Sequence, residues 1–178
     1  MSLNSNVCFS GGAAGADTLF GELAVAHDHR VLHFSFAGHR KGIENRVELT
    51  HDQLMIADPA VRNANEILKR TFPMLSAYSN NMLRRNYYQI YKSEIVFAVA
   101  WIENNEVLGG TAWACMMAYQ RRIPVYVFCQ EKEHWFMQTA PKKFELSETP
   151  PKPKGFYTGI GSRKLTNKGI EVIHGLYK

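Results

Sequence analysis

The chain has 178 residues, of which 46% are hydrophobic, and this length and composition are typical of one domain with a two- or three-layer core. Its 21 Lys and Arg outnumber its 16 Asp and Glu, and the net charge of +5 favours anionic ligands such as nucleotides or nucleic acid. Three widely spaced cysteines exclude a disulfide framework and a zinc knuckle, and no apolar run approaches the roughly 20 residues that span a bilayer, so we expect a soluble cytoplasmic protein without a metal or membrane partner.

The first half of the chain alternates between strand-like and helix-like patterns. A short apolar run stops at two glycines, and the segment after it carries apolar side chains at helical spacing. The predicted elements are a strand over 6–10, a helix over 13–28, a strand over 30–36, and a polar, largely helical stretch over 45–79 that Pro59 and Pro73 interrupt.

The second half repeats the alternation with more apolar strands. Residues 93–101 form an uninterrupted apolar run of strand length, as expected of a strand that is buried on both faces of a parallel sheet. The predicted elements are a helix over 80–91, the strand over 93–101, a polar hairpin, a helix over 112–120 and a strand over 123–129. Strands that alternate with helices predict an α/β fold, here a Rossmann-like three-layer sandwich with a mostly parallel sheet.

The end of the chain changes in character and then resumes the pattern. Residues 131–155 combine four prolines with several lysines, which predicts a linker or a long surface loop. Residues 155–160 predict a further strand, and a helix over 166–177 begins at a plausible Thr166 cap. We therefore predict a single domain over 1–178.

Three glycine-rich turns each stand between a predicted strand and a predicted helix. There, backbone N–H groups and a helix N-terminus can hold phosphate, and glycine lets a ligand approach the backbone. One such turn is equally explained as a tight turn without a ligand, but three turns at the carboxyl edge of one sheet are expected to converge on one crevice. The candidate phosphate- or nucleotide-binding residues are Ser10, Gly11, Gly12, Gly15, Asp17, Arg85, Gly109, Gly110, Thr111, Gly159, Gly161, Ser162 and Arg163.

Two of these candidates also have simpler explanations. Asp17 stands near a helix start, where a carboxylate can merely complement the helix dipole. Arg84 and Arg85 belong to the predicted helix that precedes the buried strand over 93–101. They either reach the crevice or lie on a solvated face. The tyrosines of the same helix, at helical spacing, favour packing over base stacking.

Taken together, these motifs resemble the SLOG superfamily. The resemblance is carried by SGGAAGAD from Ser10, LRRNYYQIY before the buried strand, GGTAWA from Gly109 and YTGIGSR from Tyr157. The superfamily includes the Rossmann domain of DNA-processing protein A, its phage relatives and the lonely-guy phosphoribohydrolases, and the likeness is greatest to the DNA-processing protein A group. It implies a module that binds a nucleotide or nucleotide-derived phosphate ligand without a further cofactor, and a homo-oligomer.

The order of the motifs departs from the family. Chains of the family resemble YTGIGSR, then SGGA-GAD, then the GGT turn, whereas YTGIGSR comes last here. A circular permutation explains this order, with residues 156–178 supplying the first strand and helix. The alternatives are a truncated second repeat or pairing with a neighbouring subunit. The permutation requires the strand over 156–160 to lie beside the strand over 7–10.

The resemblance leaves catalysis open. The phosphoribohydrolases resemble a Gly-Gly-x-Gly-Thr-x-x-Glu pattern, and here Met116 or Met117 stands near the position of that glutamate. Without that glutamate, an arginine such as Arg84 or Arg85 is better suited to bind phosphate than to cleave a glycosidic bond, unless Glu94 or Asp17 takes the place of the glutamate. The alternatives to a binding module are therefore a nucleoside 5′-monophosphate phosphoribohydrolase and a single-stranded DNA binder that uses the basic pairs at 40–41, 121–122 and 142–143.

Overall fold

The computed structural model describes residues 6–39 and 42–178 and is an α/β structure. Its strands are β1 (Val7–Ser10), β2 (Arg30–Phe36), β3 (Arg46–Leu49), β4 (Ile95–Ala100), β5 (Ile102–Glu103), β6 (Glu106–Val107), β7 (Val125–Cys129), β8 (His134–Ala140), β9 (Lys143–Ser147) and β10 (Phe156–Gly161). Its helices are α1 (Ala16–Ala26), α2 (His51–Ile56), α3 (Asp58–Leu68), α4 (Ala77–Ile90), α5 (Thr111–Gln120) and α6 (Asn167–Tyr177).

Eight of the strands form one large sheet in the order β3-β2-β1-β10-β4-β7-β8-β9. The six strands from β3 to β7 are parallel, and β8 and β9 continue the sheet antiparallel to them. The strands β5 and β6 form a separate small hairpin. The structure thus confirms the predicted Rossmann-like α/β sandwich with a mostly parallel sheet.

Helices cover both faces of this sheet. On one face, α1 and α6 bury a cluster that includes Phe20 and Ile173. On the other face, α5 packs on β4 and β7, and α3 and α4 pack against α5 around a larger cluster, so that α5 is buried along most of its length. The apolar run of β4 lies between the two layers, which is why Val96 to Ala100 carry no polar side chain. None of the helices in the described residues is long and apolar enough to cross a membrane.

Local signals account for several helix starts. The hydroxyl oxygen of Thr166 accepts a hydrogen bond from the Gly169 N–H at 3.0 Å, so the predicted cap of α6 is confirmed. Pro59 occupies the first turn of α3, where its missing N–H costs no helical hydrogen bond, and it therefore helps to begin a helix.

A charged cluster ties α3 to α4. The buried carboxylate of Asp58 accepts hydrogen bonds from Arg84 at 2.6 and 2.9 Å and from Arg62 at 2.5 Å. Both guanidinium groups also lie over the ring of Phe72. Burial by itself raises the pKa of Asp58, but the hydrogen bonds from Arg84 and Arg62 outweigh it and hold this pKa below its usual value.

The segment over 131–155 differs from its predicted character. It contains the hairpin of β8 and β9, which adds two strands to the sheet edge through pairs such as Phe128 with Trp135. The lysine and proline content drew attention away from this hairpin, and β8 has no clear alternation of buried and exposed residues, since only Trp135 and Gln138 are buried in it. Apart from the turns at 131–133 and 141–142, residues 148–155 are the part of this segment that lies outside the two strands. Likewise, the stretch over 45–79 begins with a strand, β3, that its polar composition did not indicate.

The strand β10 lies between β1 and β4. It pairs with β1 in parallel, with Cys8 opposite Tyr157, and the loop before it is tied to the first strand because the Gly155 N–H donates to Asn6 Oδ1 at 2.9 Å. The pairing that the circular permutation requires is therefore present within one chain. The last strand of the chain thus lies in the middle of the sheet.

Candidate functional site

The candidate site lies where the chain leaves neighbouring strands toward opposite faces of the sheet. After β10 the chain continues to α6 on one face, and after β4 it continues to α5 on the other. Such a switch point leaves a crevice at the carboxyl ends of the strands. A cavity of about 640 Å³ opens at this edge, within the size range of small-molecule sites.

Eight of the thirteen candidate residues line this cavity. They come from the start of α1, from α4, from the turn before α5 and from the turn after β10. The lining candidates are Asp17, Arg85, Gly109, Gly110, Thr111, Gly161, Ser162 and Arg163. Ser10, Gly11, Gly12, Gly15 and Gly159 do not line it.

A buried ion pair between Asp17 of α1 and Arg85 of α4 connects these two helices. Asp17 Oδ2 accepts hydrogen bonds from Arg85 Nη1 at 3.3 Å, Gln89 Nε2 at 3.4 Å and the Gly11 N–H at 3.0 Å, and Oδ1 accepts from the Gly161 N–H at 3.1 Å. Burial raises the pKa of Asp17 and lowers that of Arg85, and their mutual attraction opposes both shifts. Asp17 thus connects the first and third turns to α4, which is more than the simple cap of a helix.

The guanidinium group of Arg85 is only partly hydrogen-bonded by the described residues. Only 2% of Arg85 is exposed, and its Nη1 donates to Gln89 Oε1 at 2.7 Å in addition to Asp17. Its Nη2 reaches only the weak acceptor Met82 Sδ at 3.7 Å, and its Nε has no hydrogen-bond partner in the described part of the chain. Because Nε is closed to solvent, Arg85 acts on an anion in the cavity through its positive charge and not through this N–H.

Two further positive features face the same cavity. The helix α5 starts at Thr111, after Gly110, which has no side chain to cap it, and Gly110 and Thr111 both line the cavity. Arg163 and its neighbour Lys164 are exposed on the turn after β10 and line the other side. The site therefore combines a helix N-terminus with three cationic side chains.

In the first glycine turn, the glycines that were predicted to bind phosphate have structural roles. The Gly11 N–H donates to Asp17, and the Gly12 N–H donates to Ser10 Oγ at 3.1 Å. A Cβ on Gly11 would lie 0.9 Å from Arg85 Nη1, so glycine is required there to admit the arginine. Gly15 has a φ of 90°, and a Cβ there would lie 2.3 Å from the carbonyl oxygen of Ser162.

The third turn contains glycines of the same kind. A Cβ on Gly159 would lie 2.2 Å from Phe20 Cγ, and one on Gly161 would lie 2.1 Å from the carbonyl oxygen of Val99. The turn before α5 is different, because nothing lies within 4 Å of a Cβ on Gly109 and only Leu83 Cδ2, at 3.5 Å, approaches one on Gly110. Among the three glycine turns, the turn before α5 is therefore the one with open space beside its glycines.

Several lining residues were not predicted. Lys164 adds charge beside Arg163, and the apolar part of the lining includes Trp101, Trp113, Met74, Met82, Leu83 and Leu108. Trp113 stood inside the GGTAWA string, and Lys164 directly follows YTGIGSR, so position within the motifs could have indicated both. The two arginines of α4 are separated by the structure, since Arg84 binds Asp58 and only Arg85 reaches the cavity.

The cavity holds little that could serve as a catalytic acid. Met116 and Met117 are buried in the core. Glu94 is exposed beside Gly155 and Phe156, at the amino ends of the strands and so at the opposite edge of the sheet. Asp17 is the one carboxylate among the described lining residues, and four N–H groups already bind it.

The described basic pairs, 121–122 and 142–143, do not line the cavity. Arg121 lies over the ring of Tyr91, Lys142 pairs with Glu106 at 2.5 Å, and Lys143 pairs with Glu145 at 2.6 Å. The pair at 40–41 lies outside the described residues. Within the described ranges, no group of three or more His, Cys, Asp or Glu side chains is arranged to hold a metal ion.

No family model, curated protein or solved structure matches this chain.

Proposed function

We propose that the protein binds a nucleotide or a nucleotide-derived phosphate ligand in the cavity between α4, the start of α5 and the turn after β10. The observation that carries the proposal is a buried arginine, Arg85, that lines this cavity together with Arg163, Lys164 and the start of α5. An arginine held in this way is pre-organised for an anion, because its position is already set by Asp17 and Gln89.

The surroundings of Arg85 support a phosphate rather than a carboxylate. The start of α5 with Thr111, and the turn after β10 with Ser162, Arg163 and Lys164, line the same cavity. A tetrahedral group with several acceptor oxygens can bind several such donors at once. The net charge of +5 favours the same class of ligand.

The resemblance to the SLOG superfamily supports the same ligand class. The motif GGTAWA supplies the α5 wall and YTGIGSR supplies the turn with Arg163. The parallel pairing of β1 with β10 supports the circular permutation, because it restores the family order in space. The scarcity of carboxylates at the cavity favours binding over glycosidic cleavage.

A thermal-shift screen tests the proposal. Nucleoside mono-, di- and triphosphates, cyclic nucleotides, NAD and ADP-ribose are added to the purified protein, and each stabilising compound is analysed by chromatography for release of free base. We expect a specific stabiliser that remains intact. A stabiliser that is consumed would indicate a phosphoribohydrolase, and the lack of any stabiliser at millimolar concentration would refute the proposal.

The double variant Arg163→Gln, Lys164→Gln locates the binding. Both side chains are exposed, so their replacement is expected to preserve the fold while weakening binding of the stabilising nucleotide about tenfold. Arg30→Gln is the matched control, since Arg30 is exposed at the amino end of β2. Equal weakening by both variants would indicate a general charge effect, and not a site at the cavity.

A further inference from the structure

We infer that the ligand of the cavity is a ribonucleotide, and that Asn86 Oδ1 accepts a hydrogen bond from a hydroxyl group of its ribose. The inference rests on the proposed phosphate site and specifies the sugar that is attached to the phosphate.

Asn86 lies where α4 meets the start of α5. It is only 5% exposed and lines the cavity. Its Nδ2 donates a hydrogen bond to the carbonyl oxygen of Gly110 at 3.2 Å. Leu83, three residues earlier on the same face of α4, approaches Gly110 as well, since its Cδ2 would lie 3.5 Å from a Cβ there. Asn86 is therefore directly beside the turn at which we place the phosphate.

The hydrogen bond to Gly110 decides which atom of the Asn86 amide is left for a ligand. A carbonyl oxygen can only accept, so the amide presents its NH₂ group to Gly110, and Oδ1 is the atom that remains. Oδ1 accepts no hydrogen bond from the described residues, and it does not belong to the unpartnered polar atoms that are closed to solvent, so it retains exposed surface. Because Asn86 lines the cavity, this oxygen is available to a ligand there.

Asn86 differs in this respect from the charged side chains of the cavity. The side chains of Arg85, Arg163 and Lys164 can only donate hydrogen bonds. Asp17 is the other described lining residue with a carboxyl or amide oxygen, and four N–H groups already bind it. A fully ionised phosphate has no hydrogen to donate, so Asn86 Oδ1 needs a donor from another part of the ligand.

A sugar hydroxyl is the donor that fits this position. In a nucleotide the ribose is bonded directly to the phosphate, whereas the amino group of a base lies beyond the sugar. Proteins use contacts to the 2′-hydroxyl to distinguish ribonucleotides from deoxyribonucleotides. Within a DNA strand the 2′-hydroxyl is absent and the 3′-hydroxyl is esterified. The contact therefore favours a free ribonucleotide over single-stranded DNA.

Calorimetry of the unmodified protein with AMP, GMP, CMP and UMP, and with the 2′-deoxy and 3′-deoxy form of each, tests the inference. We expect at least one ribonucleotide to bind about three- to tenfold more tightly than one of its deoxy forms, because the missing hydroxyl leaves Asn86 Oδ1 without a partner. Equal affinity of every ribonucleotide and its two deoxy forms would overturn the inference and leave the phosphate site intact. Failure of every nucleotide to bind would refute both.

The variant Asn86→Ala tests whether this residue recognises the hydroxyl. The quantity to compare is the ratio of the affinities of the ribonucleotide and its deoxy form, which a general disturbance of the site does not change. In Asn86→Ala the two affinities should agree within about twofold. A ribose preference that persists in the variant would overturn the inference.

Asn80→Ala is the matched control. Asn80 is also a buried asparagine of α4, its amide bonds the backbone N–H and carbonyl groups of Met74 at 2.7 and 2.9 Å, and it does not line the cavity. Its replacement should leave the ratio of the two affinities unchanged. Loss of the ribose preference in Asn80→Ala as well as in Asn86→Ala would indicate a disturbance of α4, and would overturn the assignment to Asn86.

A measurement on the unmodified protein covers the case in which Asn86→Ala does not fold. The side-chain NH₂ group of Asn86 gives its own pair of resonances in a nitrogen-15 correlation spectrum. A hydrogen bond to Oδ1 alters the same amide group, so the ribonucleotide should shift these resonances more than its deoxy form does. Equal shifts at saturation with both compounds would overturn the inference.

Discussion

Replacement of Gly110 by aspartate separates the charge of the candidate site from its shape. Gly110 precedes α5 with φ −65° and ψ −21°, a conformation open to any L-residue, and a Cβ there would meet Leu83 Cδ2 at an ordinary 3.5 Å. Aspartate is also favourable at a helix N-terminus, because its carboxylate complements the helix dipole. The Gly110→Asp variant should therefore fold at least as stably as the parent protein.

The same carboxylate should strongly weaken a phosphate ligand. Two like unit charges about 4 Å apart repel by about 1 kcal/mol in water and about 4 kcal/mol at the effective dielectric near a protein surface. A phosphate monoester carries a charge of roughly −1.5 to −2, so the cost is at least about 1.5 kcal/mol, or about a tenfold higher Kd. At the lower dielectric of a partly enclosed cavity the loss is expected to exceed about a hundredfold.

Calorimetry of the stabilising nucleotide with both Gly110→Asp and Gly110→Asn measures this effect. Asparagine has nearly the same shape without the charge, so its Kd should stay within about threefold of the parent value. Thermal melts without ligand establish that both variants fold. Binding of nucleotide to Gly110→Asp as tightly as to Gly110→Asn would refute the assignment of phosphate to the start of α5.

Three further predictions concern the framework of the site. Gly161→Ala should lower the free energy of unfolding by more than about 3 kcal/mol in urea titrations, because its Cβ would lie 2.1 Å from the carbonyl oxygen of Val99. Gly175→Ala, in contrast, should raise the free energy of unfolding by about 0.5–1 kcal/mol, because Gly175 lies within α6 and has open space around it. Asp17→Asn should cost about 3 kcal/mol because it leaves a buried arginine uncompensated, and a wild-type urea midpoint would contradict the buried ion pair. Asp58→Asn should cost about 2 kcal/mol at pH 7. Because the pKa of Asp58 is lowered on folding, this contribution is full above the usual carboxyl pKa of about 4 and is lost as the pH falls through the lower folded pKa, so the stabilities of the two proteins should converge in acid. A stability difference that does not depend on pH would contradict the ionised state of that carboxylate.

The sequence alone determined the fold class and most of the elements. The apolar run that became β4, the alternation of β2 and the threonine cap of α6 are local patterns, and each reflects a local cause. The position of the last strand was also expected from the order of the motifs, and β10 does pair with β1. The hairpin of β8 and β9 was missed, because its burial depends on the edge of β7 and not on its own composition.

Only the tertiary structure decided what each glycine and each arginine does. In sequence, Gly11, Gly15 and Gly110 stand in similar strand-to-helix turns, but the first two make room for a side chain and for a neighbouring backbone, and only Gly110 borders the cavity. Arg84 and Arg85 are adjacent in the chain yet point to different partners, since consecutive residues of a helix lie about 100° apart. The role of such residues depends on which atoms occupy the space beside them, and those atoms come from distant parts of the chain.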